Sequence, residues 1–459
     1  MAKATKDTPV TDLVKVRPSQ AAPLIKQCML SKRPVMVWGP PGIGKSDLIQ
    51  QIADTFAKKD KDGNAIGTGR KVIDIRLILM DPTDLKGIPY FDSNEGRMKW
   101  APTAELPQIT TQEDVDQLTM EYNHAVDRLA SYKTREDSAI KGGAHDLEST
   151  LIKVIRECTV AVEVSRSKMA RAIDNFSKQD AIIFLDELVS APPAVQGSAY
   201  QLMLNRRIGE YILPPGCDIV AAGNREGDRG ITHQMPKPLQ NRLIHLELTD
   251  SFEDWQKWAV NNRVNPDVIG YLSAHNQDMF NFDPKSPSKA FATPRSWKFV
   301  SDLISANNSM SLETLHPLIA GTVGDGVAYK FLAHLKVAKD MPNPRDVLEG
   351  REKKMKVADL SAKYSLTISM CYALRDMAAI AKENEKSGKS KKDKAAYDTV
   401  GWHVFADNFL GFMMDNFEPE MCILGAKTAL QDYGLEMEHK LLKNFSTFFD
   451  KYGKLILAA

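Results

Sequence analysis

A glycine-rich segment between an apolar run and a helical pattern carries residues suited to holding phosphate. It has the spacing G-x-x-x-x-G-K-[ST]. Its glycines let the backbone curl so that successive N–H groups face phosphate oxygens, and the start of the next helix, expected at Asp47, adds a positive dipole end. Lys45 is expected to reach the β- and γ-phosphates and Ser46 to ligate Mg²⁺. The residues predicted to bind phosphate are Gly39, Pro40, Pro41, Gly42, Ile43, Gly44, Lys45, Ser46 and Asp47.

Two adjacent carboxylates follow a second apolar run. The run 181–185 reads as a strand, and it ends in Asp186 and Glu187. The carboxyl ends of parallel strands form the ligand-binding edge of an α/β sheet. Asp186 is expected to hold Mg²⁺, and Glu187 to orient and polarise an attacking water. Alone, the pattern also fits a strand before a solvated acidic turn; beside the phosphate loop it predicts hydrolysis of a phosphoanhydride.

A third apolar run, 217–223, ends in Asn224. An amide side chain can both donate and accept hydrogen bonds, so it could contact the attacking water and the γ-phosphate. Asn is also a good turn residue, which is the alternative interpretation. Its place in the same series of strand ends favours the functional role.

These side chains need a scaffold of parallel strands. Short apolar runs separated by helical patterns predict a parallel α/β sheet, and they span 34–38, 72–79, 181–185 and 218–222. A turn at 92–96 predicts a hairpin insert over about 86–101, and a charge-rich stretch over about 108–178 fits a helical insertion. The predicted domains are an α/β nucleotide-binding domain 1–250, a helical lid 251–350, and a helical extension 351–459 with a charged linker about 382–394.

Composition indicates a globular chain. Of its 459 residues, 43% are hydrophobic and 26% are charged, which is enough apolar surface for several cores. The 60 basic and 59 acidic side chains nearly balance, so the net charge of the whole chain does not favour binding to nucleic acid or to an anionic membrane. Five scattered cysteines argue against a disulfide framework or a zinc site. With no signal-like or membrane-spanning run, we expect a cytoplasmic protein.

The order of these elements resembles the AAA+ ATPases, specifically the bacterial or phage-borne MoxR-like branch with an insert in the second helix. The segment 81–87 is similar to the family's D-L-x-G turn, and 186–196 is similar to its D-E-[IL]-N-R-A-P-P-x-V-Q. Val189 and Ser190 stand where that pattern has Asn and Arg. The resemblance covers about residues 18–350, apart from the insertion. It implies a P-loop AAA+ parallel sheet with flanking helices and a small all-helical lid. The helical C-terminal extension beyond 350 is predicted from its own helical pattern.

The resemblance also implies roles for Asn224, Arg242 and Arg295. Asn224 corresponds to sensor 1, and Arg242 to the arginine finger that a neighbouring subunit supplies; Arg206 and Arg207 compete for that role. Arg295 corresponds to sensor 2. The residues 293–294 read independently as a helix start, and an arginine in a first helical turn opposes the helix dipole. A surface ion pair is the alternative for Arg242, and a solvated arginine is the alternative for Arg295.

By the same resemblance the chain is expected to use ATP and Mg²⁺ and to form a homo-oligomeric ring, expected as a hexamer. Its work would be to remodel or activate a protein complex, with a protein client or a von Willebrand factor A-type partner. A nucleic-acid-stimulated motor and a slowly hydrolysing nucleotide-gated scaffold are the alternatives. GTP is an alternative substrate to ATP, because the predicted loop binds the phosphates, which both nucleotides share, and does not contact the base.

Overall fold

The structure is a computed structural model that describes residues 13–59, 65–66, 68–141, 145–228, 233–306, 310–355, 359–386, 399–435, 437 and 442–458. Contacts divide the chain into two compact units. The first comprises 1–41 and 45–249, and the second comprises 42–44 and 250–459.

The first unit is built on strands with helices between them. In chain order its elements are β1 (Lys15–Val16), α1 (Pro18–Leu30), β2 (Val35–Trp38), α2 (Lys45–Asp54), β3 (Lys58–Lys59), β4 (Ala65–Ile66), β5 (Val72–Arg76), α3 (Pro82–Lys86), β6 (Ile88–Asp92), β7 (Arg97–Ala101), α4 (Gln112–Lys141), α5 (His145–Phe176), β8 (Ile182–Asp186), α6 (Pro193–Asn205), β9 (Arg207–Ile208), β10 (Tyr211–Ile212), β11 (Asp218–Gly223), α7 (Lys237–Gln240) and β12 (Ile244–Leu248).

Six of these strands form one parallel sheet in the order β1-β12-β2-β11-β8-β5. β8 and β11 are buried along nearly their whole length, as expected of central parallel strands covered by helices on both faces. Because β11 lies between β2 and β8, the ends of all three strands meet at one edge. The run 72–79 was predicted as strand throughout, but its last three residues, Leu77–Leu79, form a 3₁₀ turn.

Two antiparallel insertions leave this sheet. β6 and β7 pair as a hairpin around the turn that ends at Gly96. α4 and α5 form an antiparallel helical arm. The backbone carbonyl of Gln108 accepts a hydrogen bond from Gln179 Nε2 at 2.7 Å, which joins the two chain segments at the base of the arm. The apolar core of the sheet includes no residue of α4 or α5 among those that the structure describes.

The second unit is helical after residue 250. Its helices are α8 (Phe252–Asn261), α9 (Pro266–Ala274), α10 (Pro294–Ser305), α11 (Leu312–Val323), α12 (Asp325–Ala338), α13 (Pro344–Leu348), α14 (Leu360–Lys386), α15 (Thr399–Asn416), α16 (Pro419–Lys427) and α17 (Phe445–Ala458). One apolar core surrounds Trp297 and Phe331, and another surrounds Phe409 and Phe448. Part of the predicted charged linker, 387–394, lies outside the described residues, while α14 extends to Lys386.

The predicted fold class is confirmed in its architecture: a parallel α/β sheet with flanking helices is followed by helices to the end of the chain. Among the described residues, none of the helices is both long and apolar enough to cross a membrane.

Candidate nucleotide site

The predicted phosphate loop connects β2 to α2. Its glycines Gly42 and Gly44 have φ angles of +75° and +97°, a region that glycine adopts without a steric penalty. α2 begins at Lys45, two residues before the predicted start at Asp47. The loop therefore turns the chain sharply and places Lys45 and Ser46 in the first turn of a helix, where backbone N–H groups are free of intrahelical partners.

Lys45 joins two of the predicted site segments. Its Nζ donates to the carbonyl oxygens of Gly39 at 2.7 Å and Pro40 at 3.3 Å, and to Asn224 Oδ1 at 2.9 Å. These three acceptors hold the ammonium at the carboxyl ends of β2 and β11. The structure thus brings together a P-loop lysine and an amide that are 179 positions apart in the sequence.

Strand register explains this meeting. Gly223 pairs with Trp38, so Asn224 lies beside Gly39, whose N–H donates to the carbonyl oxygen of Gly223 at 3.2 Å. Position 223 is tightly packed, since a Cβ there would lie 2.7 Å from Met36 Cε and 2.9 Å from Val189 Cγ2. Glycine at this position lets β11 run close to its neighbours and sets where the amide projects.

The two carboxylates lie one strand further along the same edge. β11 pairs Ala221 with Leu185, so Asp186 and Glu187 end their strand beside the end of β11. Glu187 has φ +56° and ψ 34°, a left-handed conformation that costs a non-glycine residue about 1 kcal/mol or more. Its N–H donates to Asp186 Oδ1 at 2.8 Å. Strain of this kind is a frequent mark of a functional position.

Two polar groups of the site have no partner within the part of the chain that the structure describes. These are the Glu187 carboxylate and the Ser46 hydroxyl, both half-buried. Neither group is committed to holding the fold. Both are therefore available to a ligand or a metal ion.

A third carboxylate, Asp74, lies on the neighbouring strand β5 and was missed by sequence reasoning. Burial, and after it the negative charge of Asp186, raises the pKa of Asp74, while Arg76 opposes the shift. Arg76 pairs with Asp186 in the strand register, and its Nε lies 3.9 Å from Asp74 Oδ2. The apolar pattern of 72–79 predicts only a strand, but the two charged residues at alternate positions, Asp74 and Arg76, are a sequence signal for this carboxylate.

The two positions that depart from the AAA+ pattern are buried. Val189 and Ser190 are 2% and 8% exposed and sit in the 3₁₀ turn after Glu187. The Val189 carbonyl accepts a hydrogen bond from the backbone N–H of His233 at 2.7 Å, and its side chain packs near Gly223. These residues stabilise the turn beneath Glu187 and present no charge.

The candidate finger arginines lie elsewhere. Arg242 is exposed, two residues before β12, whose first residue pairs with Val35 at the start of β2. It therefore lies at the amino-terminal edge of the sheet, opposite the phosphate loop. Arg206 donates from Nη2 to the carbonyl oxygens of Pro214 at 2.9 Å and Cys217 at 2.8 Å, so its guanidinium is committed to the fold. Arg207 is exposed on β9.

Arg295 belongs to the second unit. It follows Thr293, which caps α10 by accepting a hydrogen bond from Ser296 N, and Pro294 in the first helical position. The Arg295 side chain is exposed, and its backbone N–H donates to the carbonyl oxygen of Gly42, in the same unit, at 3.3 Å.

The predicted metal ligands, Ser46 and Asp186, are too few for an all-protein metal cage. Within the described ranges, no cluster of three or more His, Cys, Asp or Glu side chains could hold a metal ion. One hydroxyl and one carboxylate, Ser46 and Asp186, suit Mg²⁺ that takes its remaining ligands from phosphate and water. The residues present therefore fit this metal.

No protein-family model matches this chain, and no curated protein matches it. Among solved structures, a candidate ATPase from Cytophaga hutchinsonii is 9% identical, with 97% of this chain and 90% of that chain covered and a TM-score of 0.28. A point mutant of RuvB from Thermotoga maritima is 12% identical, with 84% of this chain and 87% of that chain covered and a TM-score of 0.29. Because both TM-scores are low, the functional assignment rests on the site itself.

Proposed function

We propose that this protein is a Mg²⁺-dependent ATPase of the AAA+ class. The observation that supports this most strongly is the position of Lys45, whose ammonium bonds to the P-loop carbonyl oxygens and to Asn224 one strand away from Asp186 and Glu187. The cation predicted to bind phosphate, the carboxylate predicted to bind Mg²⁺ and a carboxylate without a partner among the described residues thus lie at one sheet edge. That is the set of groups phosphoanhydride hydrolysis requires.

Each group has a distinct task. Lys45 exchanges its carbonyl partners for phosphate oxygens when a nucleotide binds, and the loop N–H groups bind the same phosphates. Ser46 and Asp186 would hold Mg²⁺, which supplies charge neutralisation on the phosphates. Glu187 orients the attacking water and receives its proton, and Asn224 hydrogen-bonds that water.

Arg242 acts from a neighbouring copy in this proposal. It lies at the edge of the sheet opposite Gly39, and β2 between the two edges is a rigid strand. A guanidinium at the transferring phosphate is worth about 10³–10⁵ in rate in related NTPases. A ring, expected as a hexamer, would supply Arg242 to each neighbouring site, while Arg295 serves as sensor 2 from the helical unit.

Protein remodelling of the MoxR-like kind is the favoured use of this hydrolysis. The hairpin β6–β7 exposes apolar side chains, with Phe91 63% and Met98 56% exposed. Its cations are already paired: Lys99 lies 2.8 Å from Asp92 and also contacts Glu95. Exposed apolar area with neutralised lysine suits a protein client or a von Willebrand factor A-type partner better than nucleic acid phosphates.

The test is steady-state hydrolysis of ATP and, separately, GTP by the purified chain, with Mg²⁺ and with excess chelator. We expect turnover only with Mg²⁺, and none in Lys45→Ala. Titrating DNA, RNA and salt into the assay distinguishes a nucleic-acid motor, whose stimulation would fall with salt. Nucleotide binding without turnover in every condition would contradict the ATPase assignment and favour a nucleotide-gated scaffold.

A further inference from the structure

The first unit contains a cavity of ≈ 690 Å³ at the amino-terminal edge of the sheet. Its walls come from the segments that lead into β2 and β12, from the start of β11 and from the end of α6, so it lies at the edge opposite the predicted phosphate loop. Four cationic side chains and one carboxylate line it, a balance that attracts anions. These five charged residues are Lys32, Arg33, Arg206, Asp218 and Arg242.

Two of the four cations are committed to the fold. Lys32 Nζ lies 2.8 Å from Asp218 Oδ1, and the same buried carboxylate also pairs with Arg70 at 2.6 Å. Arg206 donates to backbone carbonyl oxygens, including that of Cys217 at 2.8 Å. These contacts fix the cavity wall and leave no acidic group of the lining unpaired.

The other two cations, Arg33 and Arg242, are exposed, and neither guanidinium has a hydrogen-bond or ion-pair partner among the described residues. They sit on adjacent lead-in segments, because Ile244 N donates to the carbonyl oxygen of Pro34 at 3.1 Å. Two neighbouring like charges repel unless an anion lies between them. The planar guanidinium fork suits phosphate oxygens in particular.

We propose that Arg33 is a second cation that acts with Arg242 on the terminal phosphate of the nucleotide held by a neighbouring copy of this chain. The proposal rests on the ATPase function proposed above. Arg33 cannot serve its own loop: it lies six positions before Gly39 along extended chain, about 20 Å at about 3.3 Å per residue. An arginine side chain covers less than half of that distance, so a nucleotide phosphate that Arg33 contacts is not the one bound at its own loop.

This proposal is tested by measuring ATP hydrolysis by three variants: Arg33→Ala, Arg33→Lys and the control Lys237→Ala. Lys237 is also exposed on the segment leading to Arg242, but it does not line the cavity. We expect Arg33→Ala to lower kcat about tenfold or more with the KM for ATP within roughly twofold, because the charge acts on the transition state. Arg33→Lys should recover part of the loss, and Lys237→Ala should match wild type. Thermal unfolding checks that all variants fold.

Mixing two inactive or impaired variants tests whether Arg33 and the phosphate loop act from different copies of the chain. Lys45→Ala protein lacks a working loop but carries Arg33, and Arg33→Ala protein carries a working loop. Their mixture should exceed the summed activity of the two alone, because some interfaces regain both groups. No gain after verified subunit exchange would overturn the action of Arg33 on a neighbour's phosphate.

Two outcomes distinguish this inference from the proposed function. Wild-type protein without ATPase activity would remove both, whereas active wild type with Arg33→Ala equal to Lys237→Ala would remove only the role of Arg33. Calorimetry of inorganic tripolyphosphate with Lys45→Ala protein tests whether the cavity binds a free polyphosphate instead. Binding that disappears in the double variant Lys45→Ala/Arg33→Ala would assign the cavity to a free polyphosphate and overturn the shared-phosphate proposal.

Discussion

Glu187 combines a carboxylate that has no partner among the described residues with a left-handed backbone, φ +56°. We predict that Glu187→Gln lowers ATP turnover by about 10²–10⁴-fold, because an amide cannot accept the proton of the attacking water. Binding of a fluorescent ATP analogue should stay within a few-fold of wild type, since Lys45 and the loop are intact. Turnover equal to wild type would show that another group activates the water.

The effect of the left-handed backbone of Glu187 on stability can be measured separately from the role of its carboxylate in hydrolysis. Glu187→Gly and Glu187→Ala both remove the carboxylate, but only glycine adopts this conformation without steric cost. Glu187→Gly should therefore be the more stable of the two inactive variants, by about 1 kcal/mol. Urea unfolding measures the difference. Equal stabilities would mean that the left-handed turn stores no strain.

At the scale of elements, the helical arm α4–α5 can be shortened without loss of the sheet. None of its described residues belongs to the sheet's apolar core, and its base is joined by the Gln179 to Gln108 hydrogen bond. Met120 and Arg166 are equally far from the junction of the two helices, and packed helices lie about 8–10 Å apart. A short glycine-rich linker can therefore join them.

We expect this shortened chain to keep basal ATPase activity within about twofold and to unfold within a few degrees of wild type, because the removed parts of α4 and α5 pack on each other and not in the apolar core of the sheet. Circular dichroism and the hydrolysis assay measure both. A second shortened variant that also carries Gln179→Ala tests whether the hydrogen bond from Gln179 to Gln108 holds the two ends of the arm together. Collapse of the first unit after shortening alone would show that the arm is part of its core.

The second unit carries a buried polar cluster that links helices α12 and α14. His334, 5% exposed, has Ser361 Oγ 2.7 Å from Nδ1 and Ser365 Oγ 3.2 Å from Nε2. Ser361 in turn donates to Asp359 at 2.6 Å. Burial lowers the pKa of His334 to about 4, and the charge of Asp359 only partly opposes this shift.

This shift predicts a loss of stability in acid. The folded state excludes a proton that the unfolded imidazole binds below about pH 6.5, so stability is complete above that pH and falls as pH drops toward 4. The loss from this one group is at most roughly 3 kcal/mol at about 1.36 kcal/mol per pH unit. Urea unfolding followed by tryptophan fluorescence should show a shallower decline in His334→Gln. Parallel curves for both proteins would exclude His334 as the source.

The sequence predicts those elements in which the residue types and their spacing determine the local structure. The spacing of Gly39, Gly44 and Lys45 fixes a phosphate loop wherever a strand precedes it and a helix follows. It could not reveal the neighbours of Asp74 or Arg33. Those depend on the strand order β12-β2-β11-β8-β5, which places segments far apart in the chain side by side. Strand order comes from packing of the whole sheet, which local patterns do not encode.

At the scale of the whole molecule, the position of Arg242 decides how activity depends on assembly. If each working site needs a loop from one copy and Arg242 from another, activity per chain must rise with protein concentration until assembly is complete. Dilution below that range should abolish turnover while leaving nucleotide binding in place. Light scattering on the same samples reports the size of the assembly.

Arg242→Ala provides the matched comparison. We expect it to lose about 10³-fold or more in turnover at every concentration while still assembling, because the guanidinium acts on the transition state and is not needed for the fold. Mixed with Lys45→Ala protein, it should regain activity at interfaces that pair its intact loop with the partner's intact Arg242. Arg206→Ala should behave differently: loss of its bonds to the carbonyl oxygens of Pro214 and Cys217 lowers stability. Full activity of Arg242→Ala at all concentrations would remove the shared site and leave a chain that hydrolyses ATP alone.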